Sequence, residues 1–139
     1  MFPVTYTHQH GYLHVDRNRR FPGLVIQVQN PNSPDTPVEV PAHLDSGAEY
    51  SLFDGWIAQS VGLDLYSGPE RRYAPTKGDS VEARVHRVNL VHPDLGRFAL
   101  DVGFSTDQIR RNLLGRDFFN LIQIGFRERH SVFYVTPTP

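Results

Sequence analysis

Apolar residues fall on alternate positions through much of the chain, and Gly, Pro, Asn and Asp interrupt the alternation at short intervals. Period two sends successive side chains to opposite faces of a strand. The clearest case is VEARVHRVNLVH (81–92), with Val81, Ala83 and Val85 on one face and Glu82, Arg84 and His86 on the other. GLVIQVQN (23–30) and VEVPAHLD (38–45) flank PNSPDTP (31–37), a dense turn cluster, which predicts a hairpin. YLHVDR (12–17) predicts a short strand after Gly11, and PDLG (93–96) turns into a strand at RFALDVGF (97–104). QIGFRERHSVFYV (123–135) predicts a last hairpin around Glu128–His130, followed by a frayed tail at 136–139.

Helical spacing is rarer. In SLFDGWIAQSVGLDL (51–65), Leu52, Trp56, Ile57 and Val61 fall near a 3.6-residue repeat, and Gly62 is placed to end the helix. QIRRNLLGRDFFNLI (108–122) reads as a short apolar strand, a Gly turn and a short helix, and YSGPERRYAPTKGDS (66–80) as a loop. The expected class is all-β, a barrel or sandwich with one or two short helices.

Composition narrows the function classes. The chain has 139 residues, 39% of them hydrophobic, and a formal charge of -1. That charge balance supplies no reason for nucleic acid or an anionic membrane as partner, and the short Arg runs at 17–20, 71–72 and 110–111 read as solvated surface. There is no cysteine, which removes disulfides, thiolate catalysis and zinc–thiolate sites. No apolar run reaches the length of a membrane span, and residues 1–20 lack the pattern of a secretory signal, so the expected location is cytoplasmic.

One stretch breaks the apolar logic. HLDSGAEYS (43–51) carries Asp45 onto the end of an apolar strand, where a carboxylate costs free energy unless it is hydrogen-bonded or solvated in a cleft. Ser46 and Gly47 offer a hydroxyl and an unobstructed backbone N–H. By itself the tripeptide reads as a structural Asx-turn. About 70 residues later comes NLLGRDFF (112–119). The two motifs, in this order and spacing, resemble the retropepsin-like aspartic proteases, the single-lobe relatives of pepsin. LDSGAEYS resembles the family's active-site loop and LLGRDFF its apolar-apolar-Gly-Arg signature, and the likeness runs from about Leu24 to Val135.

The resemblance implies an all-β retropepsin-like acid-protease barrel in one domain over 1–139, with residues 1–20 an extra N-terminal strand or a pro-segment. Asp45 would be the catalytic acid, Ser46 would brace the loop against its copy in a partner, Gly47 would lend backbone contacts to substrate, and Ala48 would complete the loop. Leu113 and Leu114 would form the strand beneath it, Leu113 also meeting substrate, and Gly115 would allow close backbone passage. Glu49 and Arg116 would form a structural ion pair. A flap over the substrate would fall at Thr76, Lys77 and Gly78, although Pro75 removes one backbone donor there. His43 departs from the apolar residue of many relatives and shares a strand face with Asp45, which makes it a subsite lining, a perturber of the acid or a bystander.

A chain with one Asp-Ser-Gly holds half of a two-carboxylate site, so the resemblance further implies a homodimer that hydrolyses peptide bonds with no cofactor and no metal. An inactive peptide-binding or oligomerisation module on the same fold is the alternative, and an unrelated small β-barrel is a third. His8, His10 and His14 lie close in sequence, with His8 and His10 on one strand face; that makes two zinc ligands with no clear third. Asp54, Asp64 and Asp101 read as caps or surface charges, and no serine sits in a nucleophile-elbow context.

Overall fold

The computed structural model describes residues 3–74 and 78–137. In chain order the strands are β1 (His8–Gly11), β2 (Leu13–His14), β3 (Arg20–Phe21), β4 (Gly23–Asn30), β5 (Ser33–Leu44) and β6 (Leu52–Asp54). After helix α1 (Gly55–Ser60) come β7 (Glu70–Tyr73), β8 (Val81–His92), β9 (Gly96–Ser105) and β10 (Asn112–Leu114). Helix α2 (Arg116–Phe119) then leads to β11 (Ile122–Arg127) and β12 (Val132–Pro137). The class is all-β with two short α-helices.

The main sheet has the order β4-β5-β10-β6-β9-β8-β7, and β4 also pairs with β8. Period-two burial drives its assembly. Leu24, Ile26 and Val28 of β4, Val40, Ala42 and Leu44 of β5, and Val88 and Leu90 of β8 all turn inward, while Val25 is half exposed. Phe53, Phe104 and Phe118 are fully buried with them, and burying one such side chain contributes about 1.5–3 kcal/mol. A smaller sheet, β1-β12-β11, closes one side, with His8 opposite Val135 and His10 opposite Phe133.

Three expectations change on folding. The helix expected across 51–65 is confined to Gly55–Ser60, because Leu52–Asp54 is taken up as β6 between β10 and β9. Leu52, Ile57 and Val61 are buried, but Trp56 is 50% exposed, so the apolar spacing overstated the buried face. Gly62 does end that segment, at φ +83°, where a side chain is disfavoured. The segment 66–80, expected as a loop, contains β7, whose ERRY residues pair antiparallel with β8 from Glu70↔Arg84 to Tyr73↔Val81. The turn cluster at 31–37 is tighter than expected, since β5 already begins at Ser33.

Candidate active site

β5 ends at Leu44, and Asp45 is the first residue beyond it. β10 lies parallel to β5, with Leu113 opposite His43 and Leu114 opposite Leu44, and antiparallel to β6, with Leu113 opposite Leu52. The strand thus passes between the two ends of the loop that carries Asp45. Its last carbonyl, that of Leu114, accepts the Asp45 N–H at 2.9 Å. The loop then turns on itself: Ala48 N–H donates to the Asp45 carbonyl at 3.2 Å, and Gly47 N–H donates to Asp45 Oδ1 at 2.9 Å. Among the described residues Oδ1 has that one donor and Oδ2 has none, and Asp45 is half-buried. The side chain therefore presents a carboxylate oriented by a backbone N–H and open to a further ligand.

α2 secures the far side of the loop. Arg116 N–H donates to Ala48 O at 2.8 Å and Asp117 N–H to Glu49 O at 3.2 Å. Gly115 makes this approach feasible: a Cβ there would lie 2.8 Å from Ala48 O and 2.9 Å from Tyr50 C. The Asp117 carboxylate receives Ser51 N–H at 3.1 and 3.0 Å and Ser51 Oγ–H at 2.7 Å, and Ser51 Oγ accepts Gly115 N–H at 3.0 Å. Ser51 is fully buried, so these bonds satisfy groups that water does not reach.

The Glu49–Arg116 ion pair expected from the motifs is not formed: it is absent from the ion pairs among the described residues. Both side chains are exposed, where such a pair contributes about 0–1 kcal/mol and competes poorly with hydration. The loop is joined to α2 by backbone hydrogen bonds and by Asp117, a residue adjacent to the Arg of the motif. Both ends of the Ser51–Asp117 link lie inside the two quoted motifs, yet neither residue type announces the pairing. Ser46 is exposed.

His43 sits on β5 and stacks on Phe21, with ring centroids 3.6 Å apart and planes 14° from parallel. An Arg111 guanidinium N–H donates to its Nδ1 at 3.3 Å, which assigns the proton of the neutral ring to Nε2. Burial, with Arg111 adding to it and Asp45 opposing, lowers the His43 pKa to about 4. Arg111 was not singled out by the sequence; it belongs to a doublet that reads as surface charge. Of the flap residues, Thr76 and Lys77 lie outside the described residues. Gly78 has φ +93°. Tyr73 O–H donates to the Ser51 carbonyl at 2.8 Å, and Arg71 lies 4.0 Å over the Tyr50 ring. The β7–β8 hairpin is thereby tied to the Asp45 loop at its base. Burial raises the Tyr73 pKa, keeping the phenol a donor.

Asp54 caps α1 by accepting Trp56 N–H at 3.2 Å and also accepts Ile109 N–H at 3.0 Å. Asp64 precedes a short 3-10 turn without a side-chain cap bond, and Asp101 pairs with Arg87 at 3.1 Å on the surface. No helix among the described residues is long and apolar enough to cross a membrane.

No protein-family model matches the sequence, and no curated protein matches it at the sequence level. Solved structures do match. A retropepsin-like aspartic protease from Rickettsia conorii superposes with a TM-score of 0.64 at 15% identity, covering 97% of this chain and 96% of that one. The EIAV protease complexed with the inhibitor HBY-793 superposes with a TM-score of 0.50 at 16% identity, covering 77% and 92%. With β10 threaded beneath the Asp45 loop and coverage of nearly the whole chain, the fold of this protein is retropepsin-like.

Proposed function

We propose that this protein is an aspartic endopeptidase, active as a homodimer in which two copies of Asp45 form one catalytic dyad. The observation that carries the reading is the Asp45 carboxylate itself. It is held by Gly47 N–H at the end of β5, with Oδ2 open, in a fold shared with proteases. A structural Asx-turn would need the Gly47 contact but not the independent support of β10 and α2 beneath it.

Two carboxylates brought together by a two-fold axis cannot both ionise at close range, so the pair holds a shared proton. The ionised Asp45 removes a proton from a water molecule, whose oxygen attacks the scissile carbonyl carbon. The protonated Asp45 donates to the carbonyl oxygen, giving a neutral gem-diol. Return of a proton to the amide nitrogen as the C–N bond breaks yields an amine and a carboxylic acid. Extended peptide segments are the substrate class, bound beneath the β7–β8 hairpin. No cofactor takes part in these steps.

The test compares wild type with Asp45→Asn on a peptide library between pH about 4 and 7, across a protein dilution series. Wild type is expected to cleave, with specific activity falling as the dimer dissociates, and Asp45→Asn to be inactive with an unchanged fold. Cleavage that survives the substitution would refute the mechanism. Peptide binding without cleavage under any condition would favour a binding module on the same fold.

A further inference from the structure

The sequence places His8 and His10 on one face of β1 and offers no third ligand beside them. Folding supplies it from far along the chain. β1 packs its His8/His10 face against the end of β8 and the turn that follows it, where His92 and Asp94 reside. His10 Nε2 lies 3.1 Å from Asp94 Oδ2, and His8 Nε2 lies 3.6 Å from Asp94 Oδ1. One donor atom from each of His10, His92 and Asp94 falls within 4.8 Å of the others.

We propose that His10, His92 and Asp94, with His8 as a fourth donor, form a binding site for a divalent transition-metal ion of the zinc class. Imidazole nitrogens with one carboxylate suit Zn²⁺ and its neighbours, whereas Ca²⁺ and Mg²⁺ require oxygen donors. Tetrahedral zinc with bonds of about 2.0–2.1 Å sets its donors about 3.3 Å apart. The His10–Asp94 separation already meets that spacing, and the partly exposed side chains of His8 (40%) and Asp94 (34%) can rotate to adjust theirs.

Two further observations separate this cluster from an ordinary surface ion pair. His10 Nε2 is shielded from solvent yet makes no hydrogen bond, despite its closeness to Asp94. A ligand at that atom would satisfy a polar group held away from water. The rings are also fixed in place: His10 stacks on Phe133 (5.5 Å, 21°) and meets His92 edge-on (5.3 Å, 76°). His92 is buried, and its Nδ1 lone pair faces the Asp94 backbone N–H at 3.1 Å, so ligation would exchange that one hydrogen bond for the metal. A cavity of about 310 Å³ opens beside His10 and His92, with Glu39 on its wall, and gives an ion a route in. A bound ion would join β1 to the β8–β9 turn.

The test uses the untagged full chain, stripped with a chelator, titrated with ZnCl₂ by calorimetry and with Co²⁺ by visible absorption. The expected result is one ion per chain, tetrahedral Co²⁺ absorption, and a rise in Tm on adding Zn²⁺. Asp94→Asn and His10→Gln should each weaken binding about tenfold or more, while His14→Gln, an exposed histidine outside the cluster, leaves it unchanged. Asp94 is partly exposed, so its variant keeps the test open if His10→Gln fails to fold. Absence of stoichiometric binding by the folded chain, or equal binding by wild type and Asp94→Asn, overturns the proposal. Peptide cleavage plays no part in this readout, so it stands or falls separately from the protease reading.

Discussion

Removing the Asp117 carboxylate should unfasten the Asp45 loop from α2. In Asp117→Ala, the buried Ser51 loses the acceptor of both its N–H (3.1 and 3.0 Å) and its O–H (2.7 Å). Each hydrogen bond to a charged acceptor contributes about 1.5–3 kcal/mol, and the two together predict a loss of roughly 3–6 kcal/mol. At about 2.1 cal/mol/K of unfolding entropy per residue, a chain of this length would lose about 10–21 °C in Tm. The assay is chemical and thermal unfolding of wild type, Asp117→Ala, Ser51→Ala and the double variant. Because Ser51 Oγ also accepts Gly115 N–H, Ser51→Ala alone should be costly, and the cycle should show an interaction of about 1.5–3 kcal/mol. A destabilisation below about 1 kcal/mol for Asp117→Ala, or no interaction in the cycle, would refute this account of how the loop is held.

Other outcomes follow from the same contacts. Gly115→Ala should destabilise by about 1–3 kcal/mol, since the new methyl meets the backbone of Ala48 and Tyr50; an unchanged Tm would show that the loop can yield. His43 stays neutral in the folded protein down to about 4, whereas the unfolded chain takes up the proton near the ordinary value of 6.5. The folded state is therefore penalised as pH falls through that window. The full shift corresponds to about 3.4 kcal/mol, reduced to about 1–2 kcal/mol for a partly exposed ring. His43→Leu should flatten the stability profile between pH 4.5 and 7 by that amount. His92, lowered chiefly by burial, contributes to both profiles and cancels, so parallel profiles would contradict the His43 assignment. Arg111→Ala should raise the His43 pKa, read by NMR titration; no movement would show that burial alone accounts for it.

Local pattern and long-range packing divided the legible from the hidden. β8, β9 and the β4–β5 hairpin follow from alternation between turns, a signal written into adjacent residues. Leu113–Leu114 and Gly115 were readable because a specific motif carried them. β7 was hidden by its composition: ERRY is polar because its strand lies at the sheet edge, where no apolar alternation is needed. The Glu49–Arg116 pairing failed because opposite charges in a motif say nothing about exposure. His92 read as the end of a strand and Asp94 as a member of a turn, and only the antiparallel docking of β1 on β12 carries His8 and His10 to them. Arg111 likewise acquires its meaning from a histidine 68 positions earlier in the chain.

β10 has one more consequence, for the order in which the protein matures. Leu113 must find His43 across roughly 70 residues, a closure costing about 4 kcal/mol of chain entropy, whereas β8 and β9 meet across a short turn. During synthesis, Asp45 leaves the ribosome long before the strand that supports its loop has been made. Hairpins are expected to form first and the Asp45 loop to be completed late. The Asp45 loop thus stays unsupported until nearly the whole chain has emerged.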